Sequence, residues 1–390
     1  MLHNIFNIIS RFKNLPPQSR ALSRYKNLPK VYAFDKICFY PFNQEIVLFC
    51  GYFAKPLESI LDDVRKNIIP GIIHWQSPNF FGYFQANAST TGFLREMLYT
   101  GLNVAGFNWI SSPTTTELEI VVIDCQNHFY FREMVEVLYM VALVTCEAIV
   151  CTLAATRDTA LKDISEDKIT KLVVYRSNQT HSVLQKAAKL VGFSPSNFRP
   201  IVTSSSADFA LSPNDVRMAM EQDLANGLFP LFLCVTIGTT TAGVVDSLIG
   251  LGLVARDYGV WLHVDAAYAG SACICPEIRQ YLDGVELCDS ISINPHKYGV
   301  ANLRNHLRKN VELVKHFEGL LATDCSFEVV PRKFALVGFR LKSNPSIFND
   351  DVSKLNRELL EVVNASGCAF MTHAVVGGTY MLHGVRLVRL

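Results

Sequence analysis

Two residues could do covalent and acid–base chemistry together. Asp265 ends the run Trp-Leu-His-Val-Asp (261–265), and Lys297 ends Ser-Ile-Asn-Pro-His-Lys (292–297). The first run is short and mostly apolar, followed at once by small residues, as a buried strand would be. Open α/β sheets place ligands at the carboxyl ends of such strands. An acid and a lysine delivered to one sheet edge suit pyridoxal phosphate (PLP). A lysine amine holds that cofactor as a Schiff base, and a carboxylate keeps its ring nitrogen protonated. The same edge offers His181, able to lie on the ring and move protons. Thr240, Asn294 and His296 are donors suited to a phosphate dianion.

These residues need elements to position them. From Thr145 the chain alternates strand and helix. Strands are expected at 171–175, 230–237 and 261–264. Helices are expected at 181–190, from Ser212 to Gly227, and at 249–258. Ser212 is a natural N-cap, with Pro213 at N1 and Asp215 at N3. This alternation predicts a mainly parallel sheet covered by helices. Three strands would end in polar clusters, at 178–181, 239–241 and 265. As parallel neighbours they would face one crevice, and Lys297 would reach the same edge. Beyond Tyr298 the order is helix, two strands over 327–330 and 334–341, then an amphipathic helix over 351–364, predicting a smaller α+β lobe.

Composition narrows the function classes. The 390 residues are 49% apolar and 18% charged, enough to bury a large core in two lobes. A net charge of +1 gives no footprint for nucleic acid or an anionic membrane. Eleven cysteines have no metal-ligand spacing, so no metal site is expected, and free thiols in a reducing cytoplasm are. The apolar stretch 137–156 carries Glu147 centrally and is expected to be one buried helix, not a membrane span. Residues 1–36 are basic and read as an irregular leader, with a transit peptide the alternative. An aromatic run, His74-Trp-Gln-Ser-Pro-Asn-Phe-Phe-Gly-Tyr-Phe84, either plugs the core or lines an apolar pocket.

Several segments together resemble the plant aromatic L-amino-acid decarboxylases, group II PLP enzymes that include the related aldehyde synthases. They are His74-Trp-Gln-Ser-Pro-Asn-Phe-Phe, Thr145-Cys-Glu-Ala, Gln179-Thr-His-Ser, Gly238-Thr-Thr-Thr, His263-Val-Asp-Ala-Ala-Tyr-Ala-Gly, Asn294-Pro-His-Lys and Met371-Thr-His-Ala-Val-Val-Gly-Gly. The resemblance implies a fold type I homodimer with a seven-stranded type of mainly parallel sheet. The expected division is an atypical segment 1–54, a large PLP-binding domain 55–297 and a small α+β domain 298–390. It implies Lys297 and His181 as catalytic groups. Asp265, Ala267, Thr240, Asn294, Thr145 and Cys146 would hold the cofactor, beside the His296 donor already read from the residues, and Trp75, Phe80, Phe81 and Tyr83 would surround an aromatic substrate. The implied reaction is decarboxylation of tyrosine, DOPA, phenylalanine or tryptophan in the cytoplasm. The alternatives are an aldehyde synthase and a catalytically defective homologue that dimerises.

Four departures from the family are visible. Residues 1–54 lack its N-terminal pattern. No glycine stands between Gln126 and Thr145, where the family has a Gly-rich turn. Tyr298-Gly-Val-Ala-Asn-Leu-Arg304 follows Lys297 directly, where the family inserts several tens of residues including a mobile catalytic loop. After Met381 the ending Leu-His-Gly-Val-Arg-Leu-Val-Arg-Leu replaces the usual helices. Such junctions resemble a truncated or mis-spliced product.

Overall fold

A computed structural model describes residues 56–72, 79–83, 90–106, 108–131, 138–139, 145–294, 303–342 and 349–385. Among the described residues three α-helices come first: α1 (Leu57–Asp63), α2 (Thr90–Leu102) and α3 (Pro113–Phe131). Their apolar side chains are largely uncovered, among them Phe93, Leu94, Leu98, Leu102 and Leu118.

The alternating region follows as β1 (Leu138–Tyr139), α4 (Thr145–Ile164), β2 (Leu172–Ser177), α5 (Val183–Leu190), β3 (Phe198–Ile201), α6 (Pro213–Ala225), β4 (Phe229–Thr236), α7 (Leu248–Asp257), β5 (Trp261–Asp265) and β6 (Ser290–Ser292). The six strands form one sheet in the order β1-β6-β5-β4-β2-β3, and every pairing is parallel. Six strands are described, against the seven-stranded type expected. Both faces are apolar, as a doubly covered sheet requires. Leu172, Val174 and Phe232 pack with Ile149, Leu153 and Leu184 of α4 and α5. Val173, Leu233 and Val264 pack on the other side with Val216, Leu251 and Val254 of α6 and α7. The Ser212 hydroxyl caps α6 by accepting from the Asp215 N–H at 3.3 Å.

The stretch 137–156 is not one helix. It contains β1, paired with β6, and α4 begins only at Thr145. A uniformly apolar run carries no period, so a buried strand and a buried helix look alike in it. Among the described residues no helix is long and apolar enough to cross a membrane. Of the nine described cysteines, Cys234, Cys273, Cys275 and Cys288 are buried, while Cys125, Cys146, Cys151 and Cys325 are exposed.

The chain continues with α8 (Leu303–Ala322), β7 (Phe327–Lys333), β8 (Leu336–Leu341), α9 (Asn349–Ala365), β9 (Thr372–Val376) and β10 (Thr379–Val385). The four strands make an antiparallel sheet ordered β7-β8-β10-β9. The β9–β10 hairpin was not anticipated. Its signal was Val-Val-Gly-Gly-Thr-Tyr: Gly377 and Gly378 both take positive φ, +56° and +77°, as a tight hairpin turn demands. The unusual ending therefore begins inside a strand, and Leu382 is fully buried.

One polar network staples the sheet away from its carboxyl edge. Arg199 on β3 donates to Asp223 on α6 through Nε and Nη2, the latter at 2.7 Å, and the Tyr175 hydroxyl of β2 donates to the same carboxylate at 2.9 Å. Burial and the Asp223 charge push the Tyr175 phenol well above its usual range. Asp223→Ala would strand a buried phenol and a half-buried guanidinium. The expected loss is about 3 kcal/mol in denaturant unfolding, and a change below measurement error would show the staple to be dispensable.

Candidate active site at the carboxyl edge of the parallel sheet

Register decides which side chains meet. Thr236 pairs with Asp265 across β4–β5, and Asp265 pairs with Ser292 across β5–β6. Side chains directly opposite in a sheet share a face, so these three form one polar row. One row below, Cys234, His263 and Ser290 pair in the same way. All six are buried, as is Asn294.

The turns leaving these strands are tied together in sequence. Thr241 donates from its hydroxyl to Gln179 Oε1 at 3.0 Å, joining the turn after β4 to that after β2. Strand order reverses between β2 and β4, so this bond spans the topological switch point where open sheets bind ligands. Ile237 N–H donates to the Asp265 carbonyl at 3.0 Å, and Ala266 N–H to the Ser292 carbonyl at 2.9 Å. The Ser271 hydroxyl reaches the Asn294 carbonyl at 3.4 Å. The clusters at 178–181, 239–241 and 265 thus do lie along one edge.

Close approach needs Gly238. It sits at φ +83°, and a Cβ there would come within 2.5 Å of Ala269 Cβ. The chain after it folds back, with Gly238 and Thr239 N–H both donating to the Val244 carbonyl at 2.9 Å. Asp246 anchors this turn. Its buried carboxylate accepts from Leu211 N–H and Thr236 N–H, each at 2.8 Å.

The Asp265 carboxylate accepts from Ala267 N–H at 3.1 Å. Among the described residues no side chain forms an ion pair with it. Three buried hydroxyls, Thr145, Thr180 and Thr236, have no described hydrogen-bond partner. Thr145 is the first residue of α4, where unpaired helix N–H groups favour an anion. His263 contacts Ser290 Oγ through Nδ1 at 2.8 Å and Ser292 Oγ through Nε2 at 3.4 Å.

The remaining expected site residues are placed as follows. His181 is exposed just before α5, and its Nδ1 accepts from Val183 N–H at 3.2 Å, leaving Nε2 to carry the proton of the neutral ring. Thr240 is half-buried at the tip of the 238–244 turn, Ala267 is buried, and Cys146 is exposed. Phe80 stacks on Phe370 at 4.9 Å and Phe81 on Phe317 at 6.1 Å. Phe81 belongs to the main core, and Tyr83 is exposed. Lys297, His296 and Trp75 lie outside the described residues. Sequence reading missed Thr236, Ser292, His263 and Asp246. His263 carried a signal, since it stands two residues before Asp265 and so on the same strand face. Among the described residues no cluster of His, Cys, Asp or Glu could hold a metal ion.

Burial shifts two of these groups in opposite senses. It lowers His263 to about 4 and raises Asp246 to about 6. Unfolded His263 takes a proton near its ordinary 6.5, while the folded form resists until about 4. Its stabilising share is therefore present above 6.5 and lost as pH falls towards 4. Asp246 acts in reverse, since the folded state takes its proton first. His263→Asn should flatten the acid loss of stability between pH 6.5 and 4, by about 2 kcal/mol, in denaturant titrations across that window. An unchanged slope would place the titrating group elsewhere.

The chain is similar to proteins of known activity. The family description "Pyridoxal-dependent decarboxylase conserved domain" matches residues 52–304. The phenylacetaldehyde synthase of a Rosa hybrid cultivar is 44% identical over 410 residues, covering 85% of this chain and 80% of the relative. The tyrosine decarboxylase of Papaver somniferum is 43% identical over 416 residues, covering 85% and 81%. The solved structure of Oryza sativa TDC with PLP and tryptamine superposes with a TM-score of 0.87 at 31% identity, covering 98% of this chain and 92% of that one. In the rose alignment, 85% of 390 residues is about 332, so about 78 of the 410 positions face no residue of this chain.

Proposed function

Since the chain belongs to the pyridoxal-dependent decarboxylase family, with the PLP cofactor and fold type I architecture of that family, we propose that it removes the carboxylate of an aromatic L-amino acid as CO2. The observation that carries this reading is the row Thr236–Asp265–Ser292, a buried acid at a parallel-sheet edge beside hydroxyls with no described partner. These residues fit PLP. A buried carboxylate without a described cation suits a protonated pyridine nitrogen, and Thr145 and Thr180 offer donors suited to a phosphate.

When bound, PLP supplies a ring that takes up the electron pair left as the Cα–carboxylate bond breaks. Asp265 holds the proton on the ring nitrogen, and the Ala267 N–H steadies its carboxylate. Ala267 would pack against the ring. Lys297 would hold the cofactor through its amine. Thr240, Asn294, His296, Thr145 and Cys146 serve the phosphate. His181 bears on the ring and carries a movable proton at Nε2, since its Nδ1 is an acceptor. Trp75, Phe80, Phe81 and Tyr83 would serve the substrate side chain, with Phe81 itself anchored in the core.

After CO2 leaves, protonation at Cα gives the amine. The relatives divide between this outcome and an aldehyde, which supports oxidative deamination as a second reading. The roughly 78 unmatched positions, with the junction at Lys297–Tyr298, support loss of the segment that selects between them. They equally support a chain that holds cofactor without turning over. The two sheets support dividing the chain near Lys297 into a larger and a smaller lobe. The uncovered apolar side chains of α2 and α3 support pairing with a second copy. The described cysteines, all free, support a cytoplasmic location.

Purified protein titrated with PLP should develop a visible absorption band that Lys297→Ala abolishes. Absence of the band in the wild-type chain would sink both enzymatic readings. Where it forms, CO2 with amine marks the decarboxylase, and aldehyde with peroxide marks the synthase. In a separate test, Leu98→Lys should shift sedimentation from dimer towards monomer, and an unshifted dimer would move the interface elsewhere.

A further inference from the structure

The tip of the β7–β8 hairpin lies far from Asp265 in sequence, yet it abuts the turns that build the site. Ladder pairing runs from Phe327↔Leu341 to Lys333↔Leu336, leaving Phe334 and Ala335 as the tip. Phe334 adopts φ +55°, a left-handed conformation unfavourable for a bulky side chain. The backbone holds it where the ring is buried. There it meets Tyr268 edge-on, with ring centroids 6.1 Å apart and planes at 83°, and Tyr281 at 5.4 Å and 65°.

Tyr268 belongs to the turn that starts at Asp265. That turn is held by Ala267 N–H to Asp265 Oδ1 and by Gly270 N–H to the Ala266 carbonyl at 2.8 Å. The neighbouring Lys333 touches the other turn. A Cβ on Gly243 would lie 2.8 Å from Lys333 Cβ. The Lys333 ammonium pairs with Asp208, whose backbone is also left-handed. One hairpin tip therefore contacts the turns after β4 and β5 and the segment before α6. Strained backbone persists only where its surroundings over-determine it, and such sites cluster where function needs a fixed geometry.

We propose that Phe334 is a positioning residue for the site: its ring, wedged between Tyr268 and Tyr281, fixes the Asp265–Gly270 turn in the shape that receives the PLP ring. The proposal rests on the cofactor reading for its purpose, and on contacts within the apoprotein for its existence. No contact between Phe334 and cofactor is involved.

The test compares loss of the wedge with its retention. Phe334→Gly deletes the ring and relaxes the left-handed backbone together, while Phe334→Tyr keeps both. In the apoprotein, Phe334→Gly should speed amide hydrogen exchange at Ala267 about tenfold, with exchange in β2 and β4 unchanged and Phe334→Tyr like wild type. With PLP, the same variant should bind about tenfold more weakly by absorption titration, and Phe334→Tyr should restore affinity. Unchanged exchange at Ala267 overturns the inference, whether or not PLP binds. Faster exchange with unaltered PLP affinity also overturns it. Faster exchange in a chain whose wild type binds no PLP upholds the positioning contact and rejects the cofactor reading. Should Phe334→Gly fail to fold by circular dichroism, Phe334→Leu fills most of the volume without an aromatic edge and carries the same readouts.

Discussion

Two backbone hydrogen bonds at the ends of the strands govern what lies beyond them. Ile237 N–H to the Asp265 carbonyl and Ala266 N–H to the Ser292 carbonyl extend the parallel ladder to the points where the chain turns. They fix which face Asp265 presents. A slip of one residue would put its carboxylate among Leu262 and Val264, in the apolar layer beneath α7. Burying an unpaired carboxylate there would cost several kcal/mol, so register and charge enforce one another. Gly238 belongs to the same constraint, because only a residue without Cβ lets the two turns touch.

The electrostatics of the row follow from that arrangement. His263 lies beside Asp265 on one strand face and could in principle have neutralised it. Burial instead keeps the imidazole uncharged, and its two nitrogens are occupied by Ser290 and Ser292. Asp265 is thus the acid of the row, and among the described residues no cationic side chain pairs with it. The hydroxyls of Thr145, Thr180 and Thr236, which have no partner among the described residues, leave donors for an acceptor. A ligand entering this edge would meet polar groups already desolvated and oriented.

Much of this was legible because local signals and tertiary demands agreed. Strand–helix alternation, the Ser212 cap and the polar ends of β2, β4 and β5 were read from period and turn chemistry alone. β1 was hidden in an unbroken apolar run, and β3, four residues long, left too little pattern to see. Asp265 stood out because an acid ends an apolar strand. Thr236, Ser292 and His263 did not, since their relevance comes from register across strands, which no single segment encodes. Phe81 shows the converse. An aromatic loop reads as pocket or plug, and the structure packs Phe81 on Phe317 within the core. Phe334 was invisible for a third reason, as its partners Tyr268 and Tyr281 lie more than fifty residues away.

The same contact map bears on the abrupt junction after Lys297. The bonds that build the crevice run from Gln179 to Asn294, and the outside brace comes from Lys333 and Phe334. None of these described contacts uses a residue between Lys297 and Arg304. A chain that loses sequence at this junction therefore keeps the ladder, the acid row and the hairpin that steadies them.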